Sequence, residues 1–167
     1  MRETEFICTP PPPPPPPPRI PRFQPGSVCS PYTEQVVRFW DIKSQSNVAN
    51  FEGHEANVNC LAFSENGYFL ATGAADATVK LWDLRKLKNF HTIASAATCE
   101  VASLHFDHSG AFLCVGGAAI GVYESKTWLS LNELKLPQTS GVCFGHAAKT
   151  LAAASVDGTV TLFTPAE

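Results

Sequence analysis

An aromatic residue closes a short run of β-branched side chains four times in this chain, and that regularity limits the fold more than any other feature. Trp40 ends VVRFW, Trp82 ends VKLW, Tyr123 ends IGVY and Phe163 ends VTLF, at steps of 42, 41 and 40 residues. Asp41 follows Trp40 just as Asp83 follows Trp82. Self-similarity at such a period marks a repeat in which each unit buries its apolar face only against its neighbours.

Between these aromatic positions the chain reads as short strands separated by turn residues. Val36–Trp40 and Ser46–Phe51 form a first pair. A unit of four follows, with strands over Val58–Phe63, Phe69–Ala74, Val79–Trp82 and Phe90–Ile93 and an Asn66-Gly67 turn between the first two. The next unit repeats it over Val101–Phe106, Phe112–Gly116, Ile120–Tyr123 and Trp128–Leu134, with Ser109-Gly110 at the turn. Gly141–Phe144, Leu151–Ala154 and Val160–Phe163 end the series, giving 13 strands and no convincing helix. An all-β fold is expected, built from WD-repeat β-propeller blades. A propeller needs at least about four blades to close, whereas 13 strands make about three and a quarter. An incomplete, open propeller over residues 36–164 follows, with unpaired edges at both ends that invite association.

Residues 1–35 share nothing with the repeat. Pro10 to Pro18 are nine consecutive prolines, which fix φ and remove N–H donors, so the segment reads as polyproline II or a disordered end. It serves either as a spacer or as a ligand for an SH3- or WW-type groove. Residues 165–167 read as a tail. A net charge of −3 with 16% charged residues disfavours direct nucleic-acid binding. No apolar run reaches the length of a membrane helix. Six cysteines lie without CxxC spacing, which points to a reduced intracellular compartment, and Cys60, Cys114 and Cys143 fall in apolar runs where cysteine acts as a small hydrophobe.

One constellation looks like chemistry. His54, Thr72, Asp76 and Trp82 supply an imidazole, a hydroxyl, a carboxylate and an indole N–H within a single unit. A nucleophilic triad uses the first three, but in a WD-repeat blade these positions form a buried structural tetrad, and that reading is preferred. The other units have lost it: Tyr123 replaces Trp, Ala118-Ala119 fill the turn, and Ala153 stands where Thr72 would although Asp157 survives. His105, Asp107 and His108 form a weak metal candidate, with His105 and Asp107 read on one strand face. Arg85, Lys86 and Lys88 make a short basic patch, read as a solvated turn or a partner contact. No catalytic residue, cofactor or metal is expected, and no nucleotide, hydrolase or metalloprotease motif is present.

SNVANFEGH at 46–54, FSENGYFLAT at 63–72, VKLWDLRKLKNF at 79–90 and GVCFGHAAK at 141–149 go further. They resemble the C-terminal WD-repeat region of the pre-mRNA-processing factor 19 family. That resemblance implies a nuclear, spliceosome-associated protein whose propeller holds substrates and partners, in a family that is also a U-box ubiquitin ligase with a role in DNA repair. No U-box or coiled coil is expected in this chain. Three readings follow: a non-catalytic protein-interaction module, a fragment of a full-length ubiquitin-protein ligase, and a signalling adaptor that uses its polyproline segment.

Overall fold

The computed structural model describes residues 35–41, 43–94, 99–136 and 138–164. The polyproline segment, with its SH3 or WW ligand reading, and the 165–167 tail lie outside the described residues. The remainder forms four antiparallel sheets in chain order. The first pairs β1 (Val36–Asp41) with β2 (Ser46–Glu52). The second is the meander β3 (Val58–Phe63), β4 (Phe69–Ala74), β5 (Thr78–Asp83) and β6 (Lys88–Ala94). The third repeats it with β7 (Ser103–Phe106), β8 (Phe112–Gly116), β9 (Ile120–Glu124) and β10 (Ser130–Leu134). The fourth holds β11 (Thr139–Phe144), β12 (Leu151–Ser155) and β13 (Val160–Phe163). A 3-10 turn over His146–Ala148 stands between β11 and β12.

These segments become strands because their β-branched and aromatic residues alternate between two buried faces. In β5, Val79 and Leu81 point one way and are fully buried, while Trp82, past a register shift, points the other. Each sheet thus offers a forward face to the next sheet and a backward face to the previous one. Three cores result. Val37, Phe39 and Phe51 meet Val58, Leu70 and Trp82 between the first two sheets. Ala71, Val79, Leu81 and Ile93 meet Val101, Leu104, Phe106, Leu113 and Val115 between the second and third. Cys114 and Ile120 meet Val142, Leu151 and Ala153 between the third and fourth.

Close approach of neighbouring sheets depends on two glycines at equivalent positions. A Cβ on Gly73 would lie 2.5 Å from Val101 Cγ1, and one on Gly116 would lie 2.9 Å from Val142 Cγ1. Backbone contact reinforces the approach, with Val101 N–H donating to Ala74 O at 3.1 Å and Thr139 N–H to Gly117 O at 2.8 Å. The expected Asn66-Gly67 and Ser109-Gly110 turns carry their glycines at φ +69° and +68°, in the left-handed region that this geometry needs.

Three sequence expectations are corrected. Val101 precedes β7 rather than opening it, because its N–H bonds to the neighbouring sheet. Trp128 lies outside β10: its φ is +57° and its N–H closes a turn onto Glu124 O at 2.7 Å. Cys143 is exposed rather than packed as a small hydrophobe, while Cys114 is buried and Cys60 half-buried. Burial pushes both the Cys60 and Cys114 thiols up to about 12, so they stay protonated.

Candidate functional site

The second sheet brings His54, Thr72, Asp76 and Trp82 into one chain of hydrogen bonds. His54 stands just before β3, Thr72 is mid-β4, Asp76 starts the β4–β5 turn and Trp82 is near the end of β5. Trp82 Nε1–H donates to Thr72 Oγ1 at 2.9 Å. His54 Nε2 lies 2.7 Å from the same hydroxyl, and His54 Nδ1 lies 3.2 Å from Asp76 Oδ2.

Proton placement follows from chemistry. A carboxylate only accepts, so His54 Nδ1 carries the proton toward Asp76, and Nε2 accepts from the Thr72 hydroxyl. The hydroxyl in turn accepts from the indole. Every polar atom is satisfied by one neutral imidazole tautomer. Burial lowers the His54 pKa, and its hydrogen bond to Asp76 pushes the other way without prevailing. Burial also raises the Asp76 pKa, but hydrogen bonds from the Thr78 hydroxyl, Glu55 N–H, Thr78 N–H and His54 outweigh it and hold the carboxyl at about 2.

Thr72 is fully buried and His54 is 4% exposed, so the hydroxyl is closed to solvent. A cavity of about 260 Å³ is lined by Val115, Gly121, Tyr123 and Glu133 with three small neighbours, and none of the four residues lines it.

In the fourth sheet half of the arrangement persists. Asp157 Oδ1 accepts from Thr159 N–H at 2.9 Å and Thr159 Oγ1–H at 2.6 Å, the same distances at which Asp76 Oδ1 meets Thr78. The turn-forming carboxylate survives there without an imidazole.

A second recurring device was not read from the sequence. Ser64 and Asp107 follow β3 and β7 and hold the first turn of each complete sheet. Ser64 Oγ accepts from Phe69 N–H at 3.0 Å and donates to Asn66 Oδ1 at 2.7 Å. Asp107 Oδ1 accepts from Phe112 N–H at 2.7 Å, and its Oδ2 takes both the Ser109 N–H and the Ser109 hydroxyl. The available signal was a small acceptor five residues before a Phe in both units.

That placement corrects the metal candidate. β7 ends at Phe106, so Asp107 belongs to the turn and does not share a strand face with His105. His105 Nδ1 instead accepts from Phe144 N–H at 3.2 Å across the sheets, and exposed His108 faces Glu65 at 3.7 Å. Among the described residues no group of three His, Cys, Asp or Glu could hold a metal ion. No helix among them is long and apolar enough to cross a membrane.

The basic patch separates into two kinds of charge. Arg85 grips buried Asp83 through Nε at 3.2 Å and Nη2 at 3.0 Å, and its guanidinium lies 4.8 Å from the centroid of the Tyr68 ring. The Arg85 hydrogen bond holds the Asp83 carboxyl below its usual range. Lys86 and Lys88 project into solvent.

Meandering sheets of up to four strands, stacked forward face on backward face at a period near 40 residues, define an open arc of WD-repeat β-propeller blades. Residues 45–83 match the family described as WD domain, G-beta repeat. Over most of its length the chain is similar to Pre-mRNA-processing factor 19. It is 49% identical over 140 residues to that protein of Oryza sativa subsp. japonica, covering 78% of this chain and 26% of the relative. Identity to Pre-mRNA-processing factor 19 homolog 2 of Arabidopsis thaliana is 44% over 142 residues, with the same two shares of 78% and 26%. For the Homo sapiens protein it is 45% over 129 residues, covering 76% of this chain and 26% of the relative. The chain therefore spans about a quarter of the length of the curated relatives it matches.

Proposed function

We propose that the chain is a non-catalytic WD-repeat protein-interaction module of a nuclear pre-mRNA splicing factor, and that His54, Thr72, Asp76 and Trp82 are its structural tetrad. The observation that carries the first part is the 49% identity over 78% of the chain to a protein named for pre-mRNA processing. The second part rests on the closed hydrogen-bond chain, in which no polar atom is left to act on a ligand. Members of the spliceosomal complex and ubiquitination substrates are the partner classes, docking on blade loops where Lys86 and Lys88 supply free positive charge.

Adding the folded chain in excess to a splicing-competent nuclear extract tests the reading. Dose-dependent inhibition of splicing, lost when the tetrad is broken, is the expected result of competition for a partner. Full splicing at saturating chain, with no spliceosomal protein retained on it, overturns the proposal. The tetrad is tested separately with a reactive probe for nucleophilic hydroxyls: Thr72 stays unlabelled in the folded chain, and labelling there restores the triad.

A second reading treats the chain as part of a longer ubiquitin-protein ligase, with the catalytic step elsewhere. The share of the relatives that it covers favours this reading. It is tested by whether the same messenger encodes a U-box in frame with this chain.

A further inference from the structure

The repeat supplies an internal control for burial. Val79 and Leu81 of β5, on the forward face of the second sheet, are completely covered by the third. Ile120 of β9 is likewise completely covered by the fourth sheet, and Val122 packs beside it. Pairing of Leu151 with Phe163 places Val160 and Leu162 of β13 at the same two positions. They are 71% and 70% exposed. Cys143 on β11 stands where Ala62 packs in the second sheet, and it too is exposed. The forward face of the fourth sheet is thus a blade-to-blade surface that no other sheet among the described residues covers.

At the other end the deficit has the opposite sense. Trp82, on the backward face of the second sheet, is 3% exposed and lies 4.9 Å from Phe51 of the preceding sheet, ring centroid to centroid. Trp40 holds the same place on the backward face of the first sheet and is 43% exposed. One chain therefore carries both halves of an unmade blade interface, a backward aromatic face at Trp40 and a forward aliphatic face at Val160 and Leu162.

We propose that two copies of this chain associate head to tail at both ends, the Trp40 face of each resting on the Val160–Leu162 face of the other, to close a ring. In all three interfaces within the chain a forward face meets a backward one, so forward against forward has no precedent in its packing. A head-to-tail contact repeated twice closes when the rotation permits. The described residues of one copy stack four sheets, so two copies stack eight, the upper end of the range of about four to eight blades in which propellers close.

Sedimentation velocity on the full chain from about 1 to 100 µM tests this. A species of about 36 kDa, twice the 18.0 kDa chain, is expected. Leu162→Glu and Trp40→Glu change exposed side chains, so each variant stays folded by circular dichroism, and each weakens the dimer by roughly 100-fold because it puts a charge at the centre of a desolvated patch. Mixing the two variants restores a heterodimer, since one of its two contacts then joins an unaltered Trp40 face to an unaltered Leu162 face. A wild-type monomer throughout the range overturns the proposal and leaves the two faces to another chain. It is also overturned by a dimer indifferent to Trp40→Glu, which would mean a forward-to-forward contact, by failure of the mixed variants to pair, or by open growth into longer species.

Discussion

Replacing Thr72 by Val removes one hydroxyl and keeps the side-chain shape. In the native blade that hydroxyl accepts from the Trp82 indole N–H at 2.9 Å and faces His54 Nε2 at 2.7 Å. Both groups are buried, so neither is compensated by water when the hydroxyl goes. An unsatisfied buried polar group costs about 1–3 kcal/mol, and two of them about 2–6 kcal/mol. The added methyl recovers little, because the site is already filled. We expect a loss near 3 kcal/mol, on the order of 10 °C in melting temperature for a domain of this size. Thr72→Ser keeps both hydrogen bonds and should cost only about 1 kcal/mol, the value of a lost buried methyl. The decisive assay is a double-mutant cycle by urea unfolding with Trp82→Phe, which removes the indole donor. If the donor and the hydroxyl act on each other, the double variant is more stable than the sum of the singles predicts by about 1 kcal/mol or more. A Thr72→Val variant within about 0.5 kcal/mol of the parent, or strict additivity in the cycle, refutes the argument that this relay stabilises the blade.

The same residues set a pH dependence. His54 is lowered from 6.5 and Asp76 from 3.8 to about 2, so the unfolded chain takes up each proton first and stability is lost as pH falls. The contribution is complete above about pH 6.5, declines below it as His54 protonates in the unfolded chain, and declines again between pH 3.8 and about 2. Asp76 accounts for about 1–2 kcal/mol of this, the lower figure allowing for solvent at its open side, and His54→Gln should flatten the first decline in melts taken from pH 7.5 to 5. Gly73→Ala drives a methyl into Val101 and should cost about 1–3 kcal/mol by denaturant unfolding, whereas Gly73→Ala with Val101→Ala should recover part of it. Ala77, at φ +59°, occupies the turn position that Gly158 fills at +84° in the fourth sheet, so Ala77→Gly should be neutral or stabilising by up to about 1 kcal/mol in a thermal melt.

Much of this architecture was legible in the sequence because the signals were local and repeated. Val58–Phe63, Phe69–Ala74, Phe112–Gly116 and Val160–Phe163 form strands with the bounds that their alternation and flanking turns dictate. Hydrogen bonds join His54, Thr72, Asp76 and Trp82, which the WD-repeat pattern groups within one blade, and their structural role is the proposal that the double-mutant cycle tests. What escaped was nonlocal. Val101 reads as a strand residue, yet its N–H is drawn to Ala74 in another sheet. Trp128 has strand propensity but enters the left-handed region to close a turn. Cys143 lies in an apolar run and is exposed because burial there depends on a following sheet, not on the run itself.

The same contrast explains how the third and fourth sheets form without a full relay. In the second sheet, Thr72 and Trp82 pin β4 to β5 through buried polar groups. In the third, Val115 and Tyr123 occupy those places; Val115 is buried in the core shared with the second sheet and Tyr123 packs against it. Gly121, opposite Val115 in the ladder, makes room for the Tyr123 ring, since a Cβ there would come within 2.7 Å of it. Apolar packing is nondirectional and tolerates substitution, so these blades keep their period while losing the polar residues. The cost is dependence on a neighbour. The relay of the second sheet is satisfied within that sheet, whereas Ile120 is buried only because the fourth sheet covers it, and Val160 at the equivalent place remains open. Local opening should therefore begin in the fourth sheet, and amide exchange of β12 and β13 should be faster than that of β4 and β5. Equal protection across the four strands in the monomer would mean that the relay adds nothing to what packing already supplies.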